Sequence, residues 1–154
     1  LGARVAEALR KELKQAPFRV SRALSARVSE GPAILAIPTT FMNDSGTAVQ
    51  ALVKKFRIPL DRLIVIHDDK DLAFGQLKLQ RVRGAAGHRG VESVIAALGS
   101  NDFWRLRVGI GAPTPELETD QFVLKTFTTN EELRLHQEVI PAAIGLIETK
   151  IELQ

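Results

Sequence analysis

The residues able to do chemistry gather in three short stretches. The first is His67-Asp68-Asp69-Lys70-Asp71, a carboxylate cluster following the apolar run Leu63-Ile64-Val65-Ile66. The second is the glycine-rich run Gly84-Ala85-Ala86-Gly87-His88-Arg89-Gly90, with Arg81 and Arg83 just before it. The third, Pro38-Thr39-Thr40-Phe41-Met42-Asn43-Asp44-Ser45-Gly46, follows a second apolar run, Ala33-Ile34-Leu35-Ala36-Ile37. Closely spaced carboxylates could bind a hard divalent cation through oxygen. Alternatively, one aspartate could orient an imidazole and stabilise its protonated form, as the acid of a triad does. Asp69 and Asp71 read as turn residues that hydrogen-bond their own backbone, which leaves Asp68, at the end of a buried strand, as the functional candidate.

Gly84, Gly87 and Gly90 let the backbone approach a ligand closely or take positive φ. No Gly-Lys-Ser/Thr follows them and the dinucleotide fingerprint is missing, so this is neither nucleotide-binding loop. Arg81, Arg83 and Arg89 could grip phosphate with help from the dipole of the following helix, or be plain surface charges. His88 has little to pack against and is open to proton transfer, metal ligation or hydrogen-bond donation. His67 reads as structural, and His136 as core or boundary. Trp104 and the phenylalanines read as core. Phe41 is the exception, because its polar loop leaves it free for substrate.

These side chains need a scaffold, and the apolar pattern supplies one. Val5, Ala8, Leu9 and Leu13 recur at helical spacing, in a helix ended by Pro17. Residues 18–28 suggest one or two modest strands. The runs at 33–37 and 63–66 suggest strands buried on both faces, as in an α/β sheet. Between them Ala48, Val49, Leu52, Val53 and Phe56 line one face of a helix, with Asp44 or Ser45 placed to cap it. Leu77 and Leu79 alternate with polar neighbours, and Val91, Val94, Ile95 and Leu98 make a short helix closed by Gly99. Residues 104–110 alternate as a strand, 112–118 form a loop and 120–126 an extended piece. Thr129 and Glu132 have capping-box spacing. Leu133, His136, Ile140, Ala143, Ile144, Ile147 and Ile151 then trace a helix that Pro141 should kink. Helices interleaved with apolar strands predict an α/β fold: a single three-layer domain over residues 1–154, with a mixed, largely parallel sheet flanked by helices. In such sheets ligand groups collect at the carboxyl ends of strands, where the three stretches lie.

With 154 residues the chain can bury one substantial core. Cysteine is absent, which removes disulfides, thiolate nucleophiles and cysteine-ligated zinc and fits a reducing cytosol. No apolar run approaches the roughly 20 residues that span a bilayer. Residues 1–111 hold 18 Lys and Arg against 10 Asp and Glu, whereas residues 112–154 hold 3 against 8. That asymmetry suits a basic front that meets a polyanion.

Taken together, these motifs resemble the bacterial-type peptidyl-tRNA hydrolases. Residues 38–46 are similar to that family's Pro-x-Thr-aromatic-Met-Asn-x-Ser-Gly motif, and His67 through Gly75 to its strand-end acidic motif. Residues 84–90 resemble its glycine-rich loop, and residues 103–111 its late strand. The resemblance implies a metal-independent and cofactor-free hydrolase of the ester between a stray peptide and the ribose of tRNA, acting as a cytoplasmic monomer without a membrane. Its partner would be peptidyl-tRNA, held by acceptor stem and peptide. On this resemblance Asp68 and Asn43 are the catalytic candidates. Phe41, Met42, Asn43, His88 and Arg89 would bind substrate and tRNA, with Phe41 and Met42 lining the peptide cleft. The family's catalytic histidine lies in a Thr-Arg-His-Asn run, and the chain opens at Leu1-Gly2, just past that run. The expected general base is therefore a histidine upstream of Leu1, oriented by Asp68. The pattern also departs at Arg89, where the family commonly has asparagine. Arginine donates but cannot accept a hydrogen bond, which predicts altered substrate binding. Two other readings are a non-catalytic RNA-binding relative using the same cleft and a metal-dependent hydrolase built on Asp68, Asp69 and Asp71.

Overall fold

The apolar run at 33–37 forms an outer strand. A computed structural model describes residues 1–82, 84–111 and 127–152. The expected loop at 112–118, the extended piece at 120–126 and Arg83 lie outside the described residues. By packing, the chain divides into two units. One comprises residues 6–63 and 81–104, the other residues 1–5, 64–80 and 105–154.

In the first unit, β1 (Arg19–Ser21), β2 (Ala26–Ser29) and β3 (Leu35–Pro38) form an antiparallel sheet in that order. The register pairs Arg19 with Val28, and Val28 with Ala36. Only Leu35 of β3 is buried, while Ala36 and Ile37 are half-buried. The two-sided burial expected for this run is thus not reached, because β3 closes its sheet and packs mainly through one face. Leu24, Ala26 and Val28 join Leu52 of helix α2 (Ser45–Phe56) in a small core completed by Ile34, Ala36, Ala51 and Phe56.

Helix α2 lies close against α3 (Arg89–Leu98). The Gly46 N–H donates to Ser93 Oγ at 2.9 Å, and Gln50 Nε2 to the Ala97 carbonyl at 2.7 Å. A Cβ at position 46 would lie 2.1 Å from the Ser93 carbonyl oxygen, so only glycine allows this approach. Helix α3 ends at Gly99 in the left-handed conformation, as its sequence predicts. Ahead of this sheet, α1 (Gly2–Glu12) ends before Pro17, at a turn in which Lys14 takes positive φ. The Gln15 side chain, buried just after it, bonds Ser29 and the Ala33 N–H.

The second unit contains β4 (Ile64–Asp69) and most of β5 (Leu77–Arg81) and β6 (Trp104–Gly109), in the order β4-β6-β5. Trp104 N–H donates to the Leu63 carbonyl and Ile110 N–H to the Asp69 carbonyl, an equal offset at both ends that makes β4 and β6 parallel. Gly109 exchanges hydrogen bonds with Gly75 and Gln76 at the start of β5, so β5 runs antiparallel to β6. The architecture is α/β, with one antiparallel and one mixed sheet flanked by helices.

The C-terminal region differs in detail from its sequence reading. The capping box is formed by Thr128 and Glu131, one residue earlier than the Thr129 and Glu132 spacing suggested, and opens α4 (Thr129–Arg134). A π-helical turn (Leu135–Val139) leads into α5 (Ile140–Glu152). Pro141 has no N–H to close an α-helical bond to the preceding turn, and the wider turn accommodates it. The extra residue per turn rotates the buried stripe. Leu135, Val139, Ile140, Ala143 and Ile147 are buried, while Leu133 and His136 face solvent. His136 is therefore not a core residue.

Candidate active site

Two groups of residues carry the candidate chemistry, one in each unit. In the first unit, a tight helical turn (Met42–Asp44) joins β3 to α2. It is held by the Asp44 N–H donating to the Phe41 carbonyl at 2.9 Å and Ser45 Oγ donating to the Met42 carbonyl at 2.8 Å. Asp44 occupies the cap position of α2 but makes no side-chain cap hydrogen bond. Phe41 is 82% exposed and Met42 60%, and Asn43 is also exposed. Removing apolar side chains from water is favourable, so an exposed Phe-Met pair beside an exposed amide is a surface suited to an apolar ligand with polar groups.

The glycine-rich loop meets this turn. A Cβ on Gly90 would lie 2.6 Å from Met42 Sδ, so the absence of a side chain there lets the methionine settle on the start of α3. His88 is the N-cap of α3, and its Nδ1 accepts the Val91 N–H at 3.1 Å. With Nδ1 accepting, a neutral His88 carries its proton on Nε2 and can present a donor. Arg89 is exposed in the first turn of α3, where the backbone N–H groups also favour anions. The structure thus brings Phe41, Met42 and Asn43 together with His88 and Arg89. Sequence alone misses the entry to this loop, where Val82 holds a positive φ of 53°, a conformation a β-branched residue rarely takes.

In the second unit the acidic cluster divides its labour. Asp69 Oδ2 accepts from Arg107 Nε at 2.6 Å and Asp69 Oδ1 from the Asp71 N–H at 2.8 Å. Arg107 Nη1 also donates to Gln80 Oε1 at 3.2 Å. Burial pushes the Asp69 carboxyl up, but the Arg107 hydrogen bond, the Asp71 N–H and the Arg107 and His67 charges together bring it below the usual aspartate range. The turn hydrogen bond expected of Asp69 is present, and the half-buried ion pair with Arg107 is the feature its sequence did not announce. Asp71 is exposed. His67 is buried, and its Nδ1 donates to the Asp68 carbonyl at 2.9 Å.

Asp68 remains with its carboxylate directed elsewhere. Its Oδ1 lies 3.0 Å from the Leu1 backbone nitrogen, at the start of α1, and its side chain is 27% exposed. Among the described residues no three His, Cys, Asp or Glu side chains come together as a metal site. Arg105 is 3% exposed, and its Nε and Nη1 make no hydrogen bond. Burial and the nearby Arg107 charge push it below the usual arginine range, with Asp69 offsetting them in part. Since guanidinium stays protonated, this marks a cost borne by the fold. The alternation Trp104-Arg105-Leu106-Arg107 was the available signal, because it places both arginines on one strand face.

A family model described as peptidyl-tRNA hydrolase matches residues 1–154. The chain belongs to the peptidyl-tRNA hydrolase family. The peptidyl-tRNA hydrolase of Aquifex aeolicus is 37% identical over 156 residues, covering 99% of this chain and 81% of that protein. That of Chlamydia caviae is 36% identical over 149 residues, covering 93% and 81%. That of Bdellovibrio bacteriovorus is 45% identical over 107 residues, covering 69% of this chain and 57% of its own length. A crystal structure of the Acinetobacter baumannii peptidyl-tRNA hydrolase matches with a TM-score of 0.84 at 22% identity, covering 99% of this chain and 81% of that one. The peptidyl-tRNA hydrolase fold is shared. The relatives are named peptidyl-tRNA hydrolases.

Proposed function

We propose that this protein hydrolyses the ester joining a peptide to the ribose of tRNA. The observation that carries the reading is the family match over residues 1–154. Phe41 and Met42 line the cleft for the peptide, and the Asn43 amide holds substrate or water. His88, through Nε2–H, and Arg89 bind the tRNA side of the substrate. Asp68 orients the imidazole of a general-base histidine, which removes a proton from the attacking water and is stabilised as the imidazolium. The tetrahedral intermediate then releases the ribose hydroxyl as leaving group and the peptide as its carboxylic acid.

On this reading the described residues act with no metal, and residues 1–154 work as one domain in a cytoplasmic monomer. Among the described residues no helix is long and apolar enough to cross a membrane.

The test is release of free tRNA from a peptidyl-tRNA by the full-length protein and by its Asp68→Asn variant. The expected result is a fall in kcat of about 10²–10⁴-fold, the usual weight of acid–base assistance, with tRNA affinity retained. Full activity in Asp68→Asn would remove Asp68 from the mechanism. Tight tRNA binding by the wild type without any ester cleavage would leave the non-catalytic RNA-binding reading standing instead.

A further inference from the structure

Asp68 lies near the end of β4, just before a turn, with the groups on either side of it fastened. On its amino side, the His67 ring donates to the Asp68 carbonyl at 2.9 Å from a buried position. On its carboxyl side, the Asp69 carbonyl accepts the Ile110 N–H at 3.0 Å, the last rung of the β4–β6 ladder. The Asp69 carboxylate then closes the turn by accepting the Asp71 N–H, and locks it to β6 through Arg107 Nε. Side chains alternate across a strand, so holding Asp69 against β6 directs Asp68 to the opposite side, where its Oδ1 meets the start of α1. Both partners of the lock are well shielded, with Asp69 10% and Arg107 14% exposed. Ion pairs in such surroundings hold geometry far better than exposed ones. Gln80 Oε1 braces the Arg107 guanidinium from β5.

We propose that Asp69 and Arg107 are positioning residues that set the direction of the Asp68 carboxylate for peptidyl-tRNA hydrolysis. The inference rests on the role given to Asp68 above. It also assigns Arg107 a role inside the protein, where its charge alone would suggest a surface contact with nucleic acid. Arg105, on the same face and without hydrogen bonds at Nε and Nη1, adds a reason for the anion. Removing the Asp69 charge leaves two cations on one strand face with no carboxylate between them.

The experiment compares steady-state hydrolysis by the full-length wild type and by Asp68→Asn, Asp69→Asn, Arg107→Gln and the Asp69→Asn/Arg107→Gln double variant. Folding of each is checked by circular dichroism. A misdirected catalytic group costs on the order of tenfold to a hundredfold, so kcat should fall by about that factor in both single variants, with KM within about twofold. The double variant should be no slower than the worse single, because the two residues act as one device. Asp69→Glu, which keeps the charge, should recover part of the lost kcat. Should Asp69→Asn fail to fold, Gln80→Met leaves the ion pair in place and only loosens Arg107, and it should lower kcat by about threefold. Wild-type kcat in Asp69→Asn or Arg107→Gln beside an inactive Asp68→Asn overturns this inference alone. Raised KM with unchanged kcat in Arg107→Gln, and a salt dependence reduced by about one phosphate contact, also overturns it. Full activity in Asp68→Asn overturns both this and the role of Asp68.

Discussion

At the scale of single residues, the acidic run shows how one spacing yields different chemistries. Asp68, Asp69 and Asp71 are the same residue type within four positions, yet one faces the start of α1, one is paired to Arg107 and one is exposed. The pairing has a consequence for stability. The folded-state pKa of Asp69 lies below its unfolded value. Its contribution is therefore fully present above roughly pH 4 and is lost as pH falls through the lower, folded value. Acid unfolding of wild type and Asp69→Asn, followed by circular dichroism, should show a flatter acid limb in the variant. Arg89 offers a second residue-scale expectation. An exposed arginine at the start of α3 would add a phosphate contact on the proposed function, so Arg89→Asn should lower the slope of log affinity for tRNA against log salt by about one. Identical affinity at every salt concentration would remove Arg89 from the interface.

At the scale of elements, the placement of Phe41, Met42 and Asn43 depends on how closely α2 and α3 approach. Gly46 and Gly90 are the points of contact, one against the Ser93 carbonyl and the other against Met42 Sδ. Backbone cannot yield as a flexible side chain can. Gly46→Ala should therefore cost about 1–3 kcal/mol or more of stability, readable as a lower urea midpoint. If the midpoint does not move, the helices have room that the geometry denies. The π turn before Pro141 belongs to the same scale. It decides which residues of the last helical region are buried, and a constant period of 3.6 could not anticipate it.

For the molecule as a whole, the uneven charge and the family identity agree. Residues 1–111 carry the excess of Lys and Arg, and a polyanionic partner such as tRNA would make affinity fall steeply with salt. No set of three metal-ligating side chains gathers among the described residues, and Asp69 is engaged by Arg107. Excess chelator should accordingly leave ester hydrolysis unchanged. Loss of activity on chelation, restored by a divalent cation, would revive the metal-dependent reading.

Much of this was legible in the amino-acid order. The α/β class, the helices α2 and α3 with their Gly99 stop, the exposed Phe41 and the structural His67 all follow from local pattern, because periodicity, capping and turn preference act over a few residues. The family motifs also lie within short windows, each a fixed string. What only the tertiary structure decided are relations between distant positions. The one-sided burial of β3, the Asp69–Arg107 pair across 38 positions of sequence and the seating of Met42 on Gly90 were settled there. So was the rotation of the final buried stripe that puts His136 into solvent. Each depends on which strand or helix lies alongside, and local pattern constrains that only weakly. Residue type marked Asp68 as a candidate, and the packing of its neighbours determined where its carboxylate points.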